Sequence, residues 1–193
     1  MKKVLLAAAL MISSVAAFAQ HAVGTVTIQP KVGLNIANFT DADDADARVG
    51  FVAGAELEYQ ASDIFSISAG ALYSQQGCKG KEAGVTLTQK LDYINVPIMA
   101  NVYVVPGFAV KLGVQPGFKV NAEASAKQGS NAISADNSSQ FNSVDFSIPV
   151  GVSYEFSNVV LDARYNWGLT KTFKDLDNKN TVFQFTVGYK FAL

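Results

Sequence analysis

The chain has 193 residues, enough for one ordinary domain, and a formal net charge of −1, which excludes the basic footprint that nucleic-acid binding needs. Charged residues make up 16% of it, against roughly 25% in soluble domains; glycine, serine, asparagine and glutamine take their place. One cysteine, Cys78, and one histidine, His21, exclude an intramolecular disulfide and leave little for thiol or imidazole chemistry.

Met1-Lys2-Lys3 is a positive n-region and Val4 to Ile12 an apolar h-region. Ala17-Phe18-Ala19 follows the small-x-small rule for cleavage between Ala19 and Gln20. Residues 1–19 are therefore predicted to be a signal peptide and 20–193 one barrel domain. The apolar run is too short to span a bilayer as a helix, which takes about 20 residues. Without such a helix, a membrane protein must cross as a closed barrel.

From Thr25 onward the dominant period is two, the mark of strands with one apolar and one polar wall. The first segment, to Phe39, sets Val26, Ile28, Pro30, Val32, Leu34 and Ile36 against Thr27, Gln29, Lys31, Gly33 and Asn35. The second sets Val49, Phe51, Ala53, Ala55, Leu57 and Tyr59 against Gly50, Gly54, Glu56 and Glu58. The third sets Phe65, Ile67, Ala69, Ala71 and Tyr73 against Ser66, Ser68, Gly70 and Ser74, with Leu72 breaking the pattern. The fourth, from Tyr93 to Val104, sets Ile94, Val96, Ile98, Ala100, Val102 and Val104 against Tyr93, Asn95, Pro97, Met99, Asn101 and Tyr103. Four more follow: Phe108 to Lys119, Val144 to Phe156, Leu161 to Trp167 and Phe183 to Phe191. Most have about the 9–11 residues that cross a bilayer at a tilt.

Connections alternate in length. Thr40 to Ala47, Gln75 to Gln89, Glu123 to Asn142 and Leu169 to Asn180 are long. Gln60 to Ile64, Val105-Pro106-Gly107 and Ser157-Asn158 are short. Outer-membrane barrels have short periplasmic turns and long extracellular loops, which puts both termini in the periplasm. Alternation alone fits a soluble lipid-binding barrel with an apolar interior equally well. Three features favour the membrane: a polar face rich in Gly and Ser, aromatics at strand ends (Tyr59, Tyr73, Tyr154, Phe156, Trp167, Phe191), and an apolar-face aromatic near the C-terminus. The predicted fold is an all-β, eight-stranded, antiparallel up-and-down transmembrane barrel in the outer membrane of a Gram-negative cell.

Five motifs stand in order: Pro30-Lys31-Val32-Gly33-Leu34-Asn35, Tyr73-Ser74-Gln75-Gln76-Gly77, Leu91-Asp92-Tyr93-Ile94-Asn95-Val96-Pro97, Leu161-Asp162-Ala163-Arg164-Tyr165-Asn166 and Val187-Gly188-Tyr189-Lys190-Phe191. Together they resemble the PorT-like outer membrane protein beta-barrel family, often labelled porin family protein, over nearly the whole mature chain. The resemblance implies an eight-stranded outer-membrane barrel and no single function. It carries no catalytic residues over, though its namesake takes part in protein secretion.

On the polar face stand ten charges: Lys31, Glu56, Glu58, Lys111, Lys119, Asp145, Glu155, Asp162, Arg164 and Lys190. An eight-stranded barrel is just wide enough to be filled by side chains, so these charges must pair or stay hydrated. One reading is a salt-bridge plug centred on Arg164 and Asp162; the other is a narrow ion path or gate. Asp41, Asp43, Asp44 and Asp46 form an acidic first loop without EF-hand spacing and read as a solvated loop. Cys78, beside Lys79, reads as an incidental loop thiol, and His21 lies outside the barrel. Pro97 and Pro149 mark bulges or lost ladder bonds. No serine elbow, metal cluster or phosphate loop is present, so no enzyme activity, cofactor or metal is expected. The expected role is structural or surface-interacting. The alternatives are a low-conductance porin, a secretion accessory barrel and a soluble periplasmic lipid-binding barrel. The expected partners are outer-membrane lipid, the outer-membrane assembly machinery and an extracellular partner of the long loops, with the chain a monomer.

Overall fold

The computed structural model describes residues 21–40, 46–82, 85–128, 131–173 and 178–193. The predicted signal peptide with its Ala19–Gln20 junction, and Asp41, Asp43 and Asp44 of the acidic loop, lie outside the described residues. The strands are β1 (Val26–Phe39), β2 (Asp46–Ser62), β3 (Phe65–Glu82), β4 (Val85–Asn95), β5 (Ile98–Val105), β6 (Phe108–Gln128), β7 (Asn131–Asp136), β8 (Val144–Phe156), β9 (Val159–Lys171), β10 (Lys179–Tyr189) and β11 (Phe191–Ala192). All pairings are antiparallel, and β1 pairs with β10 to close the ring. β4 and β5 both lie between β3 and β6 and form one stave. β11 continues β10 along β1, and β7 pairs with β6 alone. Eight staves thus make the barrel.

Proline chemistry explains the interruptions. Pro97 has no N–H to give the ladder, so the fourth predicted segment breaks at Val96-Pro97 into β4 and β5. The freed groups find other partners: Gly70 N donates to Pro97 O at 3.1 Å and Val96 N to Pro116 O at 2.8 Å. Pro30 sits opposite Tyr189, the last residue of β10, where the ladder lapses before resuming in β11 in the same register. Pro149 causes no bulge: its pairing to Asn166 is in step with both neighbours, and only the ladder to β6 lapses there.

The short turns have the chemistry that tight hairpins need. Ser157 and Asn158 have φ of 49° and 69°, the double positive φ of a type I′ turn. Gly107, after Pro106, has φ of 77°, as the third position of a type II turn requires.

Two predicted loops are largely strand. β3 and β4 continue as a hairpin to Glu82 and Val85, and β6 runs to Gln128 and folds back as β7. Beyond the apolar belt, β3, β4, β6 and β7 thus form a projecting arm at the long-loop end. The sequence misled there because side chains that face water on both sides lose the apolar alternation that marks a strand.

The apolar wall faces outward. Leu34, Val49, Phe51, Leu57, Leu112, Leu161, Phe183 and Phe185 are all exposed. The polar wall faces the lumen, where Gln29, Asn35, Ser66, Ser68, Asn101 and Gln184 are buried. This inversion of the soluble pattern overturns the reading of a soluble barrel with an apolar interior. Tyr59, Tyr154, Phe156 and Phe191 ring the short-turn end, while Tyr73 and Trp167 lie toward the other. Leu72, the break in the third segment, points inward and is fully buried. Gly54 opposite it leaves the room: a Cβ there would stand 2.9 Å from Leu72 Cδ2.

Candidate functional site

The strand register stacks the lumen side chains in four layers. At the short-turn end, Lys190 bridges two carboxylates, with Nζ 3.0 Å from Glu58 Oε2 and 2.9 Å from Glu155 Oε2. The Tyr103 hydroxyl donates to Glu58 at 2.5 Å and accepts from Lys190 at 3.1 Å, and Ser66 donates to Glu58 at 2.7 Å. His21, expected outside the barrel, reaches this layer, with Nε2 3.3 Å from Glu155 Oε1. Sequence reasoning missed it because nothing in a period-two pattern says that the segment before β1 folds back under the barrel mouth.

The middle layer holds five charges from four strands. Arg164 on β9 grips two carboxylates at once. Nη1 and Nη2 donate to Glu56 at 2.7 and 2.9 Å. Nε and Nη2 donate to Asp162 at 2.7 and 2.9 Å. Lys31 donates to Glu56 at 2.9 Å and Lys111 to Asp162 at 2.8 Å. All five are buried. The planar guanidinium suits this double fork, which a lysine does not reproduce. Two glycines make room: a Cβ on Gly151 would meet Arg164 Cγ at 2.9 Å, and one on Gly70 would meet Glu56 Cγ at 2.6 Å.

Above lies a layer of buried amides, among them Asn35, Gln76, Asn95, Gln115, Asn166 and Asn180. Asn35 Nδ2 donates to Ser74 Oγ at 2.9 Å, and Asn180 Nδ2 donates to Gln76 Oε1. Asp145 stands here, apart from the other predicted charges, accepting from Thr170 Oγ1 at 2.6 Å and from its neighbour's Phe146 N at 2.9 Å.

The top layer is apolar. Phe39, Leu91, Tyr93, Ala122 and Phe141 pack into one buried cluster, with Phe173 and Cys78 against it. The Phe173 ring lies 4.2 Å from Phe141 and 5.5 Å from Phe39, centroid to centroid. Lys119, predicted to join the ion network, instead ties down the segment that carries Phe141. Its Nζ donates to Ser138 O at 2.6 Å and to Phe141 O at 3.0 Å. Phe141 and Phe173 were missed in the sequence; the available signal was an isolated phenylalanine in each of two polar loops. Cys78 lies in β3, not a loop, and burial pushes its thiol pKa up, against the lowering that a neighbouring lysine suggests.

Of the ten predicted lumen charges, then, five meet in the middle layer, three at the short-turn end, and Lys119 and Asp145 stand apart. Among the described residues, no three of His, Cys, Asp or Glu gather as a metal would need.

A family described as outer membrane protein beta-barrel domain matches residues 18–174. The chain belongs to that family. This outer-membrane barrel is also similar in fold to solved structures. One is Ail, the attachment invasion locus protein of Yersinia pestis, at TM-score 0.55 and 16% identity, covering 88% of this chain and 99% of Ail. Another is Neisserial surface protein A, at TM-score 0.53 and 18% identity, covering 86% and 97%. Ail in complex with the heparin analogue sucrose octasulfate matches at TM-score 0.51 and 15% identity, covering 88% and 99%. Identities this low carry the fold alone. No curated protein sequence matches the chain significantly.

Proposed function

We propose that this barrel is a closed anchor that works at its long-loop end: it holds the projecting β3-β4-β6-β7 arm outside the cell and conducts no solute. The carrying observation is the middle layer, where Arg164 clamps Glu56 and Asp162 across the lumen. A path for ions needs mobile water and charges that release their partners; here every charge of the layer is committed to another side chain. The aromatic layer above adds an apolar barrier.

In this reading both termini are periplasmic, because three short turns lie at their end of the barrel. The chain works as a monomer, inserted by the outer-membrane assembly machinery and met from outside by a partner of the arm. The names of two fold neighbours, an attachment invasion locus protein and a surface protein, support a surface role. The narrower PorT-like assignment rests on the five sequence motifs, and a secretion accessory role would rest on that resemblance alone.

Single-channel recording on the refolded barrel in a planar bilayer tests the reading, with folding verified by heat-modifiable gel mobility. A folded but silent barrel is the expected result. Steady, reproducible openings would refute the closed lumen.

A further inference from the structure

On the projecting arm, β7 pairs with β6 on one side, and among the described residues no strand pairs with its other side. A free edge is a row of unpaired backbone groups, which folded proteins ordinarily blunt with lysine, proline or a cover. β7 contains neither lysine nor proline, and Ile133, Ser134, Ala135 and Asp136 are all exposed. The backbone alternation says which groups are open. Asn137 N donates to Ala122 O at 3.3 Å, so the odd-numbered residues of β7 turn their backbone groups to β6. Those of Ser134 and Asp136 therefore point to the free edge.

The register rows of the arm say what a further strand would carry. On one face Leu87, Ala126 and Ile133 stand side by side, and the row ends at the edge in Ile133, 76% exposed. On the other face Lys90, Glu123 and Asp136 stand side by side. Lys90 is held by Glu123 at 2.7 Å, and the row ends at the edge in a second carboxylate. Asp136 Oδ1 accepts from Ser138 N at 2.7 Å, and a carboxylate has further acceptor sites. A hollow of about 260 Å³ lies beside it, lined by Asn121, Ala122, Glu123, Ser134, Ala135 and Asp136, with no cation among them. The next place in that row suits a lysine or arginine, since opposite charges attract across strands and like charges repel. The next places beside Ile133 and Ala135 suit apolar side chains. Alternation puts the two kinds of place on opposite faces of one extended segment.

We propose that β7 is a docking edge for an extended segment of a partner protein, added as a further strand, with a basic residue opposite Asp136 and apolar residues opposite Ala135 and Ile133. Main-chain hydrogen bonds supply the attachment, and the two side-chain rows supply the selectivity. A second copy of β7 lacks the complement, because it holds no basic residue to set against Asp136. The docking edge rests on the reading of the arm as a surface that meets a partner, but not on the closed lumen, which conductance decides.

The probe is a fluorescent peptide of alternating valine and lysine, mixed with increasing amounts of the full refolded chain in zwitterionic detergent and read by anisotropy. Saturable binding is the expected result, and a valine–glutamate peptide should not bind. Asp136→Asn, which keeps an acceptor for Ser138 N, should weaken binding about two- to fivefold, the span of one cross-strand charge pair. Ser134→Pro removes an edge N–H and no ladder bond, and should abolish binding. No saturable binding, or binding that Ser134→Pro leaves intact, would overturn the proposal. A dimer of the chain that Ser134→Pro dissolves, seen by light scattering, would overturn it in favour of a second copy. Should the proline variant not fold, hydrogen exchange on the unmodified chain decides: saturating peptide should slow the Ser134 and Asp136 amides, and unchanged rates there would refute strand addition. A barrel that is silent in the bilayer yet fails these tests keeps its closed lumen and loses the docking edge.

Discussion

Removing Arg164 should hurt this barrel less than removing Asp162, although Arg164 makes four hydrogen bonds in the middle layer. The layer holds three cations, Lys31, Lys111 and Arg164, and two carboxylates, Glu56 and Asp162. Arg164→Met leaves two of each sign. Glu56 keeps Lys31 at 2.9 Å and Asp162 keeps Lys111 at 2.8 Å, while methionine refills much of the volume. Asp162→Asn instead leaves three buried cations around one carboxylate, with Lys111 stripped of its partner. Breaking a buried ion pair costs about 3–5 kcal/mol when it strands a charge. Asp162→Asn therefore belongs near about 5 kcal/mol, and Arg164→Met near about 3 kcal/mol or below. Urea unfolding of the refolded barrel in detergent, read by tryptophan fluorescence from Trp167, measures both. Equal losses, or a larger loss for Arg164→Met, would show that hydrogen-bond geometry and not charge balance governs the layer. Losses below about 1 kcal/mol for both, the level of exposed pairs, would refute a dry, closed lumen.

Gly70→Val should sharply reduce refolding yield, because its Cβ would lie 2.3 Å from Ala55 O and force β2 and β3 apart. Gly80→Ala, with nothing within 4 Å of the new atom, should refold normally in the same gel assay. Tyr103→Phe removes a hydroxyl held by two charged groups and should cost about 1.5–3 kcal/mol in urea; no loss would mean that water replaces it. On the arm, Lys90 lies 2.7 Å from Glu123, and this hydrogen bond holds the Glu123 carboxyl below its ordinary range. A depressed folded pKa means that the contribution is present above the unfolded glutamate value and lost as pH falls through the folded one. Protection of the β4 and β6 amides, with exchange corrected for the pH dependence of the intrinsic rate, should therefore fall on acidification below the ordinary glutamate range, and Lys90→Met should remove that step; a step that survives Lys90→Met assigns it elsewhere. Finally, Cys78 should alkylate slowly in the folded barrel and faster in Phe141→Ala, which opens the buried cluster that Cys78 packs against; equal rates would count against a closed aromatic lid.

Much of this barrel was legible in the chain alone. A strand has a side-chain period of two, so the alternation along β1, β2 and β8 named each wall residue by residue, and the turn residues Pro106-Gly107 and Ser157-Asn158 marked one end of the barrel. The count of eight staves followed from those local signals, as did the set of ten charges on the polar face. Tertiary structure decided how those charges divide. Lys111 meets Asp162 across a separation of 51 residues and Arg164 meets Glu56 across 108; such partners depend on register and shear, which no local pattern encodes. The same holds for the lid, where Phe39 comes from the end of β1 and Phe141 and Phe173 from two separate connections, and for the amide layer, whose side chains come from β1, β3, β4, β6, β9 and β10. Alternation is a property of one strand and can be read from it. Pairing across a closed lumen is a property of the ring, and exists only once the ring has closed.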